Sequence, residues 1–272
     1  TLKNVKKADV ILFAGGISPK LEGEEMPVKL PGFRGGDRET IELPEIQTQM
    51  MRELKKTGKP LVYVNFSGSA IALEREAQLC DAILQAWYPG QAGGEAIASV
   101  LFGDYNPAGR LPVTFYKNTA QLPDFEEYSM KGRTYRYMKE EPLFSFGHGL
   151  SYSTFSYGEA RLSASKMQKG TTLSLIVPVS NTSQLDGEEV VQLYLRYPED
   201  KEGPVKALRA FKRVAIGKGA TQEVKFDLCE EDFEWFDPST NTMRPRSGEY
   251  EILYGGTSAT EGLKKVKVMC EF

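Results

Sequence analysis

The sequence predicts an α/β fold with a mostly parallel sheet covered by helices, followed by an antiparallel β-sandwich. Three observations carry that expectation. Apolar strand-like runs alternate with amphipathic runs in the amino-terminal part. The hydrophobic period falls to two in the carboxyl-terminal part. Between them lies a stretch rich in Tyr, Phe, Gly and Pro with no period at all. The three parts are expected at residues 1–118, 119–153 and 154–272.

"DVILFAGG" reads as the first buried strand. "LPEIQTQMMRELKKTGK" reads as a helix, because Ile46, Met50 and Leu54 recur at four-residue spacing, Pro44 suits a first helical position and Gly58 a stop. "PLVYVNFSG", "AILQAWYPG" and "RLPVTF" read as further strands, with "AIALEREAQLC" and "EAIASVLFG" as the helices between them. Residues 119 to about 154 come next without regular structure, and their aromatics predict a stretch packed on a neighbour rather than free chain. From Ser156 onward, "TLSLIVPVSNTS", "EEVVQLYLRYP", "KALRAFKRVAI", "TQEVKFDL", "GEYEILYGG" and "LKKVKVMCEF" are short strands separated by turn residues.

Composition narrows the function classes. The chain has 272 residues, 40% of them hydrophobic and 26% charged, as in a globular protein with an ample core. A net charge of -3 and the lack of a basic, aromatic-interleaved stripe argue against nucleic acid. No apolar run approaches the roughly 20 residues that span a bilayer, so no membrane partner is expected. Three separated cysteines and a single histidine, His148, give neither a disulfide framework nor a metal spacing, so no metal is expected. With His148 in the linker, Ser67 and Ser69 do not make a serine-hydrolase triad. Asn65 and Asn181 begin glycosylation patterns, the first inside a predicted buried strand. The glycines of "YPGQAGGEA" favour a tight strand-to-helix turn over a phosphate cradle, since no P-loop Lys-Ser/Thr follows. Trp87 and Tyr88 read as core, and His148 as part of a turn against the α/β part.

The oddest stretch is "GGISPKLEGEEMPVKLPGFRGGDRETIELP". Three carboxylates, Glu22, Glu24 and Glu25, crowd just beyond the carboxyl end of a predicted parallel strand, where ligands bind in open α/β sheets. Mutual repulsion and partial burial raise a carboxyl pKa, which is what a general acid needs near neutral pH. The competing reading is a solvated acidic loop paired with Arg34 or Arg38. Phe33, in the same loop, is a candidate to stack on a sugar ring or simply to pack.

"AWYPGQAGGEAIASVLFGDYNPAGRLPVTF", then "FSFGHGLSYSTF", then "DGEEVVQLYLRYP" resemble, in that order, the carboxyl-terminal half of a glycoside hydrolase family 3 enzyme, a family of β-glucosidases and β-xylosidases. The resemblance implies that residues 1–118 are the family's α/β sandwich domain and 154–272 its fibronectin type III-like, immunoglobulin-like domain. It implies that the family's (β/α)8-type barrel, which carries the nucleophilic aspartate, precedes this chain and is absent from it. It further implies that the acid/base glutamate lies in the acidic loop. Glu22 and Glu24 match the family's E-x-E, and Asp37 and Arg38 its D-R, with a longer spacer between. Glu24 is the first choice by that spacing, with Glu22 and then Glu25 after it. Phe33, Asp37 and Arg38 become candidate substrate-binding residues.

The expected activity is retaining, exo-acting hydrolysis of terminal β-linked glucose or xylose, with a carbohydrate and the missing barrel as partners and no cofactor. This chain alone is expected to be inert, and its parent to be periplasmic or extracellular. The rival expectation is a non-catalytic carbohydrate-binding or scaffolding module on the same fold.

Overall fold

The computed structural model describes residues 5, 7–23, 26–35 and 37–272. The chain divides into two compact units. The first comprises residues up to Asp104 with Phe115–Glu127 and Pro142–Phe144; the second comprises Tyr105–Thr114, Tyr128–Glu141 and Ser145–Phe272. Residues 105–114 and 128–141, read from sequence with the α/β part and the linker, therefore gather with the β-sandwich.

In the first unit, strands β1 (Ile11–Gly16), β4 (Leu61–Phe66) and β5 (Ala82–Gln85) form a parallel sheet in the order β1-β4-β5. A short helix α1 (Pro19–Glu22) and a small hairpin of β2 (Phe33–Arg34) and β3 (Asp37–Arg38) come after β1. Helices α2 (Glu45–Lys55), α3 (Glu74–Leu79) and α4 (Gly93–Phe102) complete the unit. Its core gathers Ile11, Met51, Leu61, Tyr63, Ile71 and Leu73. Each such side chain contributes about 1.5–3 kcal/mol on leaving water.

The structure corrects two local expectations. In α2 the buried residues are Thr48 and Met51, whereas Ile46 and Met50 are 66% and 52% exposed. Of the three residues at four-residue spacing, only Leu54 packs against the core. Thr48 turns inward because its hydroxyl donates to the buried Glu76 carboxylate, an interaction across 28 residues. "RLPVTF" forms no strand. Pro112 has no N–H to give a ladder, and of this run only Phe115 pairs, in an isolated bridge with Phe144.

The second unit packs two sheets. One has the order β11 (Ala207–Ile216), β10 (Gly187–Arg196), β15 (Gly248–Gly255), β16 (Lys264–Glu271), β8 (Lys166–Gln168). The other has β12 (Thr221–Leu228), β9 (Leu173–Asn181) and β6 (Phe155–Tyr157), with β7 (Arg161–Leu162) also on β9. A hairpin of β13 (Glu234–Asp237) and β14 (Thr242–Pro245) flanks them. In β9 every second residue from Leu173 to Val179 is buried, the period expected of a strand with one face in a core.

β10 breaks that alternation, because Val191 through Leu195 are all buried. The second face is covered by the aromatic stretch: Tyr135 stacks on Phe146 at 4.5 Å and meets Tyr194 edge-on at 5.8 Å. The turn holding His148 is fixed within this same unit. The Gly147 N–H donates to the Leu111 carbonyl, and a Cβ on Gly147, at φ +77°, would meet Gln192 at 2.0 Å. Burial, then the charge of Arg110, pulls the His148 pKa below its ordinary value. Asn181 is 1% exposed, and its amide donates to the Leu185 and Ile216 carbonyls, so its side chain works as a structural clamp in this fold.

Arg110 and Glu189 make an ion pair at 3.0 Å with side chains only 9% and 6% exposed. Removing one partner strands a buried charge, whereas replacing both does not. Glu189→Ala is therefore expected to destabilise the second unit by about 3–5 kcal/mol in denaturant unfolding, and Arg110→Met with Glu189→Leu by clearly less. Equal losses in both variants, or a loss below about 1 kcal/mol for the single one, would contradict a buried, coupled pair.

Candidate active site

Parallel strands all end on one side of their sheet, so the loops after β1, β4 and β5 leave from a common edge. The backbone there is tightly packed. Gly16 closes β1 at φ +127°, and a Cβ on it would lie 2.0 Å from the Phe66 carbonyl oxygen. The Ile17 N–H donates to that carbonyl at 2.8 Å. The Gln47 side chain grips the same glycine from the other side, giving an N–H to its carbonyl and accepting its N–H, both at 2.8 Å.

The sequence Ser18-Pro19-Lys20-Leu21-Glu22-Gly23 encodes α1 in miniature. The Ser18 hydroxyl accepts from the Leu21 N–H, Pro19 sits at the helix start, and Gly23 ends the turn at φ +65°. Glu22 is thereby the last residue of a capped turn directly beyond β1. From the loop after β4, the Ser69 hydroxyl donates to Glu22 Oε1 at 3.2 Å. From the loop after β5, Tyr88 Oη lies 3.1 Å from Glu22 Oε2 and 2.7 Å from the Ile17 carbonyl oxygen. From β3, Arg38 Nη1 donates to Ser69 Oγ at 3.2 Å. Residues from the other two strand ends thus meet at the carboxylate beyond β1, and the hairpin arginine holds one of them.

Two further features aim Tyr88. Trp87 adopts φ +54°, a left-handed conformation costly for an aromatic residue, and its ring is held edge-on to Phe115 at 6.1 Å. A Cβ on Gly68 would lie 2.8 Å from the Tyr88 ring and 3.3 Å from Glu22 Oε2, so glycine there leaves room for the pair. Burial, and then the Glu22 carboxylate, push the Tyr88 phenol above its ordinary value, keeping it neutral. Burial pulls the Arg38 guanidinium down while Glu22, Glu42 and Tyr88 hold it up. Arg38 Nε and Nη2 have no hydrogen-bond partner among the described residues.

The phenol has one proton and two acceptors in reach. When it serves the nearer Ile17 carbonyl, its oxygen can accept from a protonated Glu22. When Glu22 is ionised, the phenol and Ser69 can both donate to it. The groups around Glu22 therefore suit either protonation state of its carboxyl, the phenol exchanging the Ile17 carbonyl for the carboxylate as Glu22 ionises.

Of the residues singled out in the sequence, the structure gathers Glu22 and Arg38. Glu24 and Glu25 lie outside the described residues. Asp37 is exposed on the hairpin. Phe33 is 8% exposed and packs in the first unit's core. Tyr88, read from sequence as core, is 41% exposed and belongs to the cluster. Ser69, considered there only as a nucleophile, is a carboxylate's donor. Ser67 is buried in a separate network with Asn65 and Gln85. Asn65 is fully buried in β4.

Comparison with known proteins agrees with this architecture. The glycosyl hydrolase family 3 C-terminal domain matches residues 1–152, and a fibronectin type III-like domain matches residues 189–258. The chain is 53% identical over 268 residues to a xylan 1,4-beta-xylosidase of Xylanibacter ruminicola, covering 98% of this chain and 31% of that protein. It is 34% identical over 267 residues to a periplasmic beta-glucosidase of Salmonella typhimurium, covering 93% and 34%. Among solved structures, the beta-glucosidase of Listeria innocua in complex with isofagomine superposes with a TM-score of 0.82 at 30% identity, over 99% of this chain and 38% of that one. The chain thus spans about a third of the length of these relatives, and it belongs to glycoside hydrolase family 3, of which it carries the C-terminal α/β sandwich domain and the fibronectin type III-like domain.

Proposed function

We propose that this chain is the carboxyl-terminal part of a retaining, exo-acting β-glycosidase that removes terminal β-linked glucose or xylose, and that it supplies the acid/base carboxyl from the Glu22–Glu25 loop. The observation that carries the reading is the convergence of Glu22, Ser69, Tyr88 and Arg38 at the carboxyl edge of the parallel sheet. Glu24 has the family's E-x-E spacing in its favour. Glu22 has geometry in its favour, since its partners fit both protonation states, and we assign the role to Glu22. Relatives named β-xylosidase and β-glucosidase support the substrate class, and the periplasmic relative supports an exported parent.

In this reading the nucleophilic carboxylate belongs to an amino-terminal barrel outside the chain, about 5 Å from the acid/base group, as retention requires. Protonated Glu22 gives its proton to the glycosidic oxygen as the bond to the anomeric carbon breaks. The resulting carboxylate then takes a proton from the water that releases the sugar. Ser69 and Tyr88 fix the carboxyl through both steps, and Arg38 orients Ser69.

Three outcomes are expected. The isolated chain should not hydrolyse aryl β-glucosides or β-xylosides, because proton donation alone contributes only about 10²–10⁴-fold; measurable turnover by the pure chain would refute the division of the site. In the full-length enzyme, Glu22→Ala should slow poor leaving groups by about 10²–10⁴-fold while sparing activated aryl glycosides, with partial rescue by azide. If Glu24→Ala shows that split and Glu22→Ala does not, the role passes to Glu24. Tyr88→Phe should cost about tenfold in kcat/KM for poor leaving groups, a fraction of the whole proton-transfer effect. A wild-type value would remove Tyr88 from the positioning set.

A further inference from the structure

Two adjoining clefts open in the second unit, of about 500 and 320 Å³. They share Tyr137, Asp200, Glu202, Gly203 and Pro204, so they lie side by side along one groove-like face. The smaller part is lined by Arg136, Arg209 and Arg246, with Tyr137, Phe236 and Met243 supplying apolar surface. Phe236 and Met243 are 54% and 52% exposed, large for side chains of that type.

The arginines are not equivalent. Arg246 is neutralised, its Nη1 donating to Asp200 Oδ2 at 2.8 Å. Arg136 and Arg209 pair with no carboxylate among the described residues. Arg209 Nη2 donates to the Glu234 carbonyl at 2.7 Å, and its guanidinium lies over the Trp235 ring at 5.0 Å. Arg136 lies over the Tyr137 ring at 5.7 Å. The Nε of each is buried and has no hydrogen-bond partner among the described residues. Burial, and then the charge of Arg136, draw Arg209 below its ordinary pKa, so the two like charges sense each other. Stacking on aromatic rings and backbone contacts hold them close without cancelling them. The groove also carries Glu202 and Glu234, and the charge of Asp232 acts on Arg209, but among the described residues neither guanidinium forms an ion pair with a carboxylate. A planar fork beside aromatic surface is suited to a carboxylate carried on a ring.

We propose that this groove is a second carbohydrate-binding site, separate from the Glu22 cluster, and that it takes an oligosaccharide bearing a uronic acid. Arg136 and Arg209 receive the carboxylate, and Tyr137 and Phe236 contact the sugar ring beside it. The choice of a sugar as the carrier rests on the proposed glycosidase activity; the anion specificity rests on the arginines alone. The site would hold an acidic, branched polysaccharide near the enzyme through a residue that the hydrolytic centre does not cut.

The test is binding, not hydrolysis, so it stands apart from the catalytic reading. Titration calorimetry of this chain would compare a glucuronic acid-substituted xylo-oligosaccharide, the neutral xylo-oligosaccharide of equal length, and acetate. The acidic oligosaccharide should bind at least tenfold more tightly than either other probe. Arg136→Gln and Arg209→Gln should each lower that affinity tenfold or more. Lys218→Gln, a charge control outside the groove, should leave it within twofold, with circular dichroism confirming the fold of all three. Equal affinity for acidic and neutral sugars, equal affinity for acetate, no binding of the acidic sugar at millimolar concentration, or indifference to both arginine variants would each overturn the proposal.

Discussion

Parallel pairing of β1, β4 and β5 is the constraint on which the candidate site depends. It sends three chain segments off one sheet edge, and the Ile17 N–H bond to the Phe66 carbonyl, beside a Gly16 with no room for a side chain, holds the first two together. Local chemistry then shapes the chain beyond each strand: a capped turn ending in Glu22 after β1, a glycine and Ser69 after β4, and a strained Trp87 that aims Tyr88 after β5. None of these segments holds the carboxylate alone. Glu22 is 47 residues from Ser69 and 66 from Tyr88, so the cluster exists only once the sheet has formed.

That distance in sequence also explains which features the residues disclosed and which they withheld. The strands of the first unit, the helix after Pro44 and the period-two strands of the sandwich were legible, because each is written in a short window of apolar spacing. The place of Glu22 just beyond β1 was legible for the same reason. Tyr88 was not, because an aromatic at a strand end looks like core until the backbone of Trp87 is known. Ser69 was considered only as a nucleophile, since its role as a donor to Glu22 is non-local. The inward turn of Thr48 in α2 was not legible, because a threonine inside a helix reads as surface unless its buried partner, Glu76, is in view. Phe33, read as a possible sugar platform, packs inward where the small hairpin folds onto the core.

The second unit shows the same interplay of pattern and exception. β9 obeys strict alternation, and β10 does not, because Tyr135 and Phe146 seal its outer face. The aromatic stretch that had no period of its own thus supplies one layer of another element's core. The buried Arg110–Glu189 pair and the Gly147 turn tie two more of these irregular segments to the same sandwich. The compact second unit is a mounting for segments that have no hydrophobic period of their own.

The proposed role of Glu22, as the carboxyl on which the strand ends converge and which exchanges a proton with the sugar, is tested most directly in the full-length enzyme. The decisive measurement is its structure with an uncleavable thio-linked disaccharide in place. The distance to measure runs from each carboxyl of the Glu22–Glu25 loop to the sulfur that replaces the glycosidic oxygen. The expected result is a Glu22 carboxyl oxygen within about 3.5 Å of that sulfur, with Ser69 and Tyr88 still beside it. Glu22 remote from the sulfur, with Glu24 or another carboxyl at that position, would contradict the assignment.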